Sequence, residues 1–76
     1  MLKNLSSQDV AWLLNQIGIT FKRHGKEDVF EGWYDGRTRV VIVPRNKRGI
    51  PQGTLNSIWR QAGIRKALAE KLWQNR

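Results

Sequence analysis

The amino-acid sequence of 76 residues predicts an α+β fold, in which two helices pack on one face of a three-stranded antiparallel sheet. The order of hydrophobic patterns is the first reason: a helical period comes first, three short runs of β-branched and aromatic residues follow, and a helical period returns. The second reason is the Asp35-Gly36 dipeptide between the last two runs, which is typical of a tight β-hairpin. Because a chain of this length holds one small core, we expect a single domain over residues 1–76.

The first helix is expected within residues 5–18, LSSQDVAWLLNQIG. Ser6 is placed to cap this helix, with Asp9 three residues later, and Gly18 is placed to end it. Its apolar residues recur at helical spacing: Val10, Leu13, Leu14 and Ile17. The helix should therefore turn one apolar face toward the sheet.

Three strands are expected at Ile19–Arg23, Asp28–Tyr34 and Thr38–Pro44. Successive side chains of a strand point to opposite faces of its sheet, so Trp33 and Tyr34 must lie on different faces. One of these two aromatic rings is therefore expected on the face away from the helices, where it is a candidate for contact with a partner.

A second helix is expected over residues 53–63, with Thr54 as its N-cap and Gly63 as its end. A third, shorter helix should follow in residues 64–76. The apolar stripe of the second helix comprises Leu55, Ile58, Trp59 and Ala62, and that of the third comprises Ile64, Leu68 and Leu72. Trp59 is thus expected in the core rather than on a base-stacking surface. The predicted order α-β-β-β-α, with a short C-terminal helix added, is that of the double-stranded-RNA-binding domain.

An excess of basic residues points to a polyanionic partner. Fourteen Lys and Arg against six Asp and Glu give a formal net charge of +8. The excess is concentrated in Arg39–Arg48, RVVIVPRNKR, which contains no acidic residue. Nucleic acid, which releases condensed counterions when cationic side chains bind it, is the leading candidate, and an acidic protein is the other.

The sequence contains no recognisable metal, cofactor or membrane motif. It has no cysteine, which excludes disulfides and thiolate zinc sites. It also has one histidine, no Gly-rich phosphate loop and no His-Glu metal spacing. No apolar run approaches the roughly 18 residues of a membrane span, and the N-terminus lacks the pattern of a signal peptide. We therefore expect a cytoplasmic protein that binds no metal, cofactor or membrane.

From Ser6 to Ile64 the sequence resembles the HicA toxin family, small ribonucleases of bacterial toxin–antitoxin pairs. The more specific half of this resemblance is VVIVPRNKRGIPQGTLNSIWRQAGI, with its Val-Pro, basic loop, Pro-x-Gly-Thr and closing Gln-Ala-Gly-Ile: Val43-Pro44, Arg45 to Arg48, Pro51 to Thr54 and Gln61 to Ile64. The resemblance implies the fold predicted above. It also implies metal-independent cleavage of single-stranded mRNA and neutralisation by a HicB-like antitoxin, which the basic charge predicts to be acidic.

The family's active site is where the sequence departs from the pattern. Members of the family carry an essential histidine shortly after a glycine and before an aliphatic-aromatic pair. Aligned on Gly25 and on Val29-Phe30, the sequence holds Glu27 at that position. The only histidine, His24, stands three residues earlier, on the other side of the glycine.

Three interpretations of this turn remain open. Glu27 could be the base that takes the 2′-hydroxyl proton of RNA, although a carboxylate is a weaker base than an imidazole. Alternatively, the turn has no catalytic role, and the protein is a non-catalytic RNA-binding module of the same fold. In the third interpretation His24 has taken over as base or acid. In every case the cations expected to hold phosphates are Lys26, Arg37, Arg39, Arg45, Lys47 and Arg48.

Overall fold

A computed structural model of the chain describes residues 4–76 and contains one three-stranded sheet and three helices. The strands are antiparallel, and each pairs with the next along the chain. The elements are α1 (Ser7–Gln16), β1 (Ile19–Arg23), β2 (Asp28–Tyr34), β3 (Arg37–Val43), α2 (Gln52–Ala62) and α3 (Lys66–Gln74). This order confirms the predicted α+β fold with its additional C-terminal helix. Within residues 4–76 no helix is long and apolar enough to cross a membrane.

Helix α1 begins and ends where the sequence predicts. The Asp9 backbone N–H donates to Ser6 Oγ at 3.1 Å, and the Ser6 backbone N–H donates to Asp9 Oδ2 at 2.9 Å. This reciprocal pair satisfies two of the backbone donors that the first turn of a helix leaves open. The chain then leaves the helix through Gly18, whose φ of 83° suits a residue without a Cβ atom.

The register of the sheet decides which side chains meet the helices. Phe30 of β2 pairs with Phe21 of β1 and with Val41 of β3, so these three side chains share the face that α1 and α2 cover. Gly32 lies on the same face, where a Cβ atom would come within 2.7 Å of Ile19 Cα. Only glycine therefore allows the start of β1 to approach β2 so closely.

The core lies between this face of the sheet and the helices. Trp59 is buried in it, with 4% of its surface exposed, which confirms the prediction for this residue. The other buried apolar residues of the two main helices are Val10, Leu13, Leu14, Leu55, Ile58 and Ala62. The apolar stripes predicted for α1 and α2 thus pack against the sheet, and Ile17 is partly buried at the edge of the core.

The second face of the sheet is open. Tyr34 points toward the helices and packs partly buried against the core, so the aromatic ring on the open face is Trp33, 68% exposed. Lys22 and Glu31 form an ion pair on the same face. The exposed apolar side chains there are Trp33, Val40 and Ile42.

Two local predictions were wrong. Thr54 is not the N-cap of α2, because the helix begins at Gln52 and its N-cap is Pro51. The φ of Pro51, −56°, suits a helix entrance, and its carbonyl accepts the Leu55 N–H at 3.0 Å. Leu68 does not lie on the buried stripe of α3, since 39% of its surface is exposed. Ile64 is buried but lies before α3, because Arg65, the N-cap of this helix, has an extended backbone. Ile64 therefore does not set which face of α3 is buried, and the residue of α3 that points into the core is Ala69.

Candidate functional site

The basic loop that follows β3 is fixed to the first turn of α1 by one serine. Ser7 Oγ donates to the Pro44 carbonyl at 2.6 Å and accepts the Lys47 backbone N–H at 2.9 Å. The Ser7 backbone N–H donates to the Lys47 carbonyl, also at 2.9 Å. The loop turns between these points through Asn46, which has a φ of 53°. Three hydrogen bonds therefore hold the backbone of the basic loop in one orientation.

The turn that carries the only histidine is joined to this loop. His24 Nδ1 lies 2.8 Å from Asp28 Oδ1, within hydrogen-bond distance. Arg45 Nε lies 3.6 Å from the same oxygen, and Arg45 Nη1 donates to the Gly25 carbonyl at 3.2 Å. The arginine of the basic loop thus contacts both the backbone of the turn and the carboxylate that partners the histidine.

The imidazole also rests on an aromatic pair. Its centroid lies 4.7 Å from that of Phe21, and the Phe21 ring meets the Phe30 ring edge-on at 5.8 Å. About two thirds of the His24 side chain, 66%, remains exposed. His24 is therefore accessible to a ligand, and two different contacts restrict its side chain.

A cleft of about 420 Å³ opens between the start of α1, the start of β2 and the basic loop. Asp28, the partner of His24, lies in its wall. Two cations, Lys47 and Arg48, also line it. Other residues that line the cleft include Ser7, Gln8, Phe30 and Val43. Positive charge thus lines a cleft whose wall includes Asp28, the carboxylate partner of His24. Cations close to an imidazole–carboxylate pair are groups suited to a phosphodiester.

The predicted catalytic and cationic residues do not all gather at this cleft. Glu27 is exposed in the turn, and within residues 4–76 its carboxylate has no hydrogen bond or ion pair. Lys26 is exposed beside it. Arg37 and Arg39 lie toward the hairpin end of β3, about 20 Å and about 13 Å along the strand from Val43 at the cleft.

Arg39 has structural partners at that end. Its Nε donates to the Tyr34 carbonyl at 3.0 Å, and its Nη2 reaches the Asp35 carbonyl at 3.4 Å. Arg37 is exposed. Of the predicted phosphate-binding set, Lys47 and Arg48 therefore line the cleft. Arg45 contacts Asp28 in its wall, and Lys26 lies in the adjoining turn.

Sequence reasoning missed Ser7 and Asp28. The role of Ser7 was not predictable from local pattern, because its partner Pro44 lies 37 residues away. The partner of Asp28 is only four residues away, but no turn pattern in the sequence indicated that the two side chains meet. No group of three or more His, Cys, Asp or Glu side chains with metal-binding proximity occurs among residues 4–76.

Comparison with known proteins identifies the family. A search of curated proteins finds no significant match. The family model described as the HicA toxin of bacterial toxin–antitoxin systems matches residues 7–64, well over half of the chain, and this span includes the turn, the cleft and the basic loop. The chain therefore belongs to the HicA toxin family.

Proposed function

We propose that the protein is the toxin of a toxin–antitoxin pair and cleaves messenger RNA endonucleolytically without a metal ion, in the cytoplasm, thereby blocking translation. The observation that carries this proposal is the junction of the basic loop and the histidine turn at one cleft, through the contacts of Arg45 with Asp28 and Gly25. A phosphodiester bound by Lys47 and Arg48 would occupy the cleft whose lining includes Asp28, the partner of His24.

The reaction uses the RNA's own 2′-hydroxyl group. A base takes the 2′-hydroxyl proton, O2′ attacks the adjacent phosphorus, and the bond from phosphorus to O5′ breaks. The products are a 2′,3′-cyclic phosphate and a 5′-hydroxyl end. Charge that develops on the phosphate is stabilised by nearby cations, a role for Lys47 and Arg48. No oxidant, reductant or cofactor is needed.

A second candidate function is a non-catalytic RNA-binding module of the same fold. The observation that favours it is Glu27, which stands where the family resemblance places the essential histidine and has no partner among residues 4–76. In this case the cations around the cleft bind RNA, and the RNA is released without being cleaved.

Cleavage of a labelled single-stranded RNA in EDTA separates these two functions. We expect cleavage with a 2′,3′-cyclic phosphate product, and no cleavage of the same oligonucleotide with 2′-deoxy sugars, which keeps the phosphates but lacks the nucleophile. Binding without cleavage would support the module instead. If the Glu27→His variant then cleaved, the turn would be a disabled HicA site.

Membership of the HicA toxin family implies an antitoxin partner. We propose a HicB-like protein that is acidic where it meets this +8 chain. Trp33 on the open sheet face is a candidate contact for the antitoxin or for RNA. Since a partner that binds only the folded toxin stabilises it, the thermal midpoint should rise when the antitoxin is added. An unchanged midpoint at saturating antitoxin would contradict this pairing.

A further inference from the structure

We propose that His24, oriented by Asp28, is the general base of this protein, and that Glu27, at the position of the family's histidine, is not. This inference rests on the proposed ribonuclease function and specifies its catalytic residue. Asp28 is a positioning residue, since it acts through the imidazole rather than on the RNA.

The hydrogen bond between His24 and Asp28 determines which imidazole nitrogen is available. An ionised carboxylate can only accept, so at 2.8 Å from Asp28 Oδ1 the Nδ1 atom of His24 carries the hydrogen and donates it. In the neutral ring the second nitrogen, Nε2, then keeps its lone pair. Among residues 4–76, Nε2 has no hydrogen-bond partner. The hydrogen bond thus favours the tautomer in which Nε2, the nitrogen without a partner, can accept a proton.

The carboxylate that orients the histidine is itself held in place. Asp28 is the first residue of β2, and its backbone pairs with Val43 in the sheet. Its side chain is 21% exposed and also faces Arg45 Nε at 3.6 Å. Because a strand and an arginine fix Asp28, its oxygen provides a rigid acceptor.

The imidazole is restricted on a second side by the aromatic ring of Phe21, 4.7 Å away between centroids. Phe21 in turn packs edge-on against Phe30 in the sheet. A hydrogen bond at one nitrogen and a packed ring face together restrict the rotation of the His24 side chain. Preorganisation of this kind reduces the entropy lost when the reacting groups come together.

Glu27 has none of these supports. Its side chain is exposed, and within residues 4–76 it makes neither a hydrogen bond nor an ion pair that would fix the carboxylate. It lies on the turn between the two members of the His24–Asp28 pair without joining them. An exposed carboxylate that no neighbour orients is a poorly positioned base for a 2′-hydroxyl.

The proton balance of the step is complete. His24 Nε2 takes the proton of the 2′-hydroxyl as the O2′–phosphorus bond forms. The bond from phosphorus to O5′ breaks, and O5′ takes a proton from water. The imidazolium later returns its proton to solvent, so the ring regains its starting state.

The orientation of His24 can be measured without RNA. His24 is the only histidine of the chain, so a nitrogen-15 spectrum of the imidazole contains one spin system. At alkaline pH, where an imidazole ring is neutral, we expect the Nδ1–H tautomer to predominate in the unaltered protein. In Asp28→Asn this predominance should be lost. Asp35→Asn, which removes the same charge at the hairpin turn, should leave the tautomer unchanged. A ring that favours Nε2–H in the unaltered protein would overturn the proposed orientation.

Cleavage kinetics test the role of the oriented ring. His24→Ala should lower kcat by roughly 100-fold or more, the usual contribution of a general base. Asp28→Asn should lower kcat by about 10- to 100-fold with little change in KM, as expected when an orienting partner is lost. Glu27→Gln should retain kcat within about threefold, since the removed carboxylate lies in the same turn but has no partner. His24→Gln, which keeps a polar side chain, should be as inactive as His24→Ala.

The outcomes distinguish this inference from the proposed function. If the unaltered protein cuts RNA and His24→Ala cuts equally well, the assignment of His24 fails and the ribonuclease remains. Loss of cleavage in Glu27→Gln with retention in His24→Ala would assign the base to Glu27. If the unaltered protein cuts no RNA, the proposed ribonuclease function fails, and the assignment of a base fails with it. Circular dichroism of each variant shows whether it has folded.

Discussion

The guanidinium group of Arg39 occupies the space beside the Cα atom of Gly63, where a Cβ atom would lie 2.6 Å from Arg39 Nη1. Gly63 ends α2 with a φ of 75°, and Arg39 Nε donates to the Tyr34 carbonyl at 3.0 Å. The close approach thus joins the hairpin between β2 and β3 to the end of α2. A residue expected from its charge to bind RNA has a structural role at the far end of the sheet from the cleft.

Gly63→Ala should lower the free energy of unfolding by about 2 kcal/mol, because a side chain disfavours the left-handed backbone and displaces Arg39. Gly53→Ala is the matched control, since that glycine lies in α2 with open space around its Cα and a negative φ. It should be neutral or slightly stabilising. Urea denaturation measures both. In an Arg39→Ala background, Gly63→Ala should lower the free energy of unfolding by a smaller amount, because the guanidinium group is gone. An equal loss with and without Arg39 would exclude a steric contribution from that side chain.

Local sequence patterns predicted most of the fold because their physical causes are local. The Ser6–Asp9 capping pair and the Asp35-Gly36 turn depend on residues within a few positions of each other. Both turn residues have positive φ, 51° and 85°, as a tight hairpin turn requires. Thr54 failed as a cap because Pro51, a residue without a side-chain acceptor, supplies the entrance to α2 through its backbone angle.

The family motif at the end of α2 has a structural explanation that its sequence did not reveal. Gln61 Oε1 accepts the Ile42 backbone N–H at 2.8 Å, at the outer edge of β3. Ala62 is fully buried, and Ile64 is buried after the turn at Gly63. These positions fix α2 to the sheet, so this part of the family motif has a structural role away from the cleft.

The candidate site was only partly predictable. Charge located the basic loop, and the family resemblance located the turn, but neither indicated that His24 pairs with Asp28 or that Ser7 holds the loop. The contacts of Ser7 follow from the approach of separate segments, which a one-dimensional pattern does not contain. The contact of His24 with Asp28 lies within one turn but has no sequence signature, so the sequence favoured Glu27, at the position of the family's histidine, over His24.

The Lys47→Ala, Arg48→Ala double variant should bind single-stranded RNA more weakly. Each cation that neutralises a phosphate contributes about 0.7 to the slope of log affinity against log salt, so the slope should fall by ~1.4. Fluorescence anisotropy across a salt series measures this slope. The control is the double variant Arg60→Ala, Arg65→Ala, which removes the same charge. Both residues are exposed, one in α2 and one just before α3, and neither lines the cleft. If both double variants lowered the slope equally, binding would depend on overall charge and not on the cleft.

Ser7→Ala should release the basic loop from α1. The Lys47 N–H would lose its acceptor and the Pro44 carbonyl its donor, at a cost of about 1–2 kcal/mol in the free energy of unfolding. The Lys47 amide should also exchange its hydrogen faster. Ser57→Ala on the exposed face of α2 is the control and should change stability by less than about 0.5 kcal/mol. Unchanged exchange at Lys47 would mean that the Ser7 hydroxyl does not hold the loop.

Helix α3 should depend on Trp73 more than on Leu68. The Trp73 ring meets the Trp12 ring of α1 edge-on at 6.0 Å between centroids, whereas Leu68 is 39% exposed. We expect Trp73→Ala to lower the free energy of unfolding by about 2 kcal/mol, through lost burial and the lost aromatic pair. Leu68→Ala should cost less than ~1 kcal/mol, since a partly exposed leucine leaves no cavity and alanine favours the helix.

Hydrogen exchange at Ala69, the buried residue of α3, localises the effect of each substitution. Faster exchange of the Ala69 amide in Trp73→Ala, with unchanged exchange in Leu68→Ala, is the expected result, because the contact with Trp12 attaches the helix to the rest of the fold. The reverse ranking would mean that α3 packs through the stripe that the sequence pattern predicts, which comprises Ile64, Leu68 and Leu72.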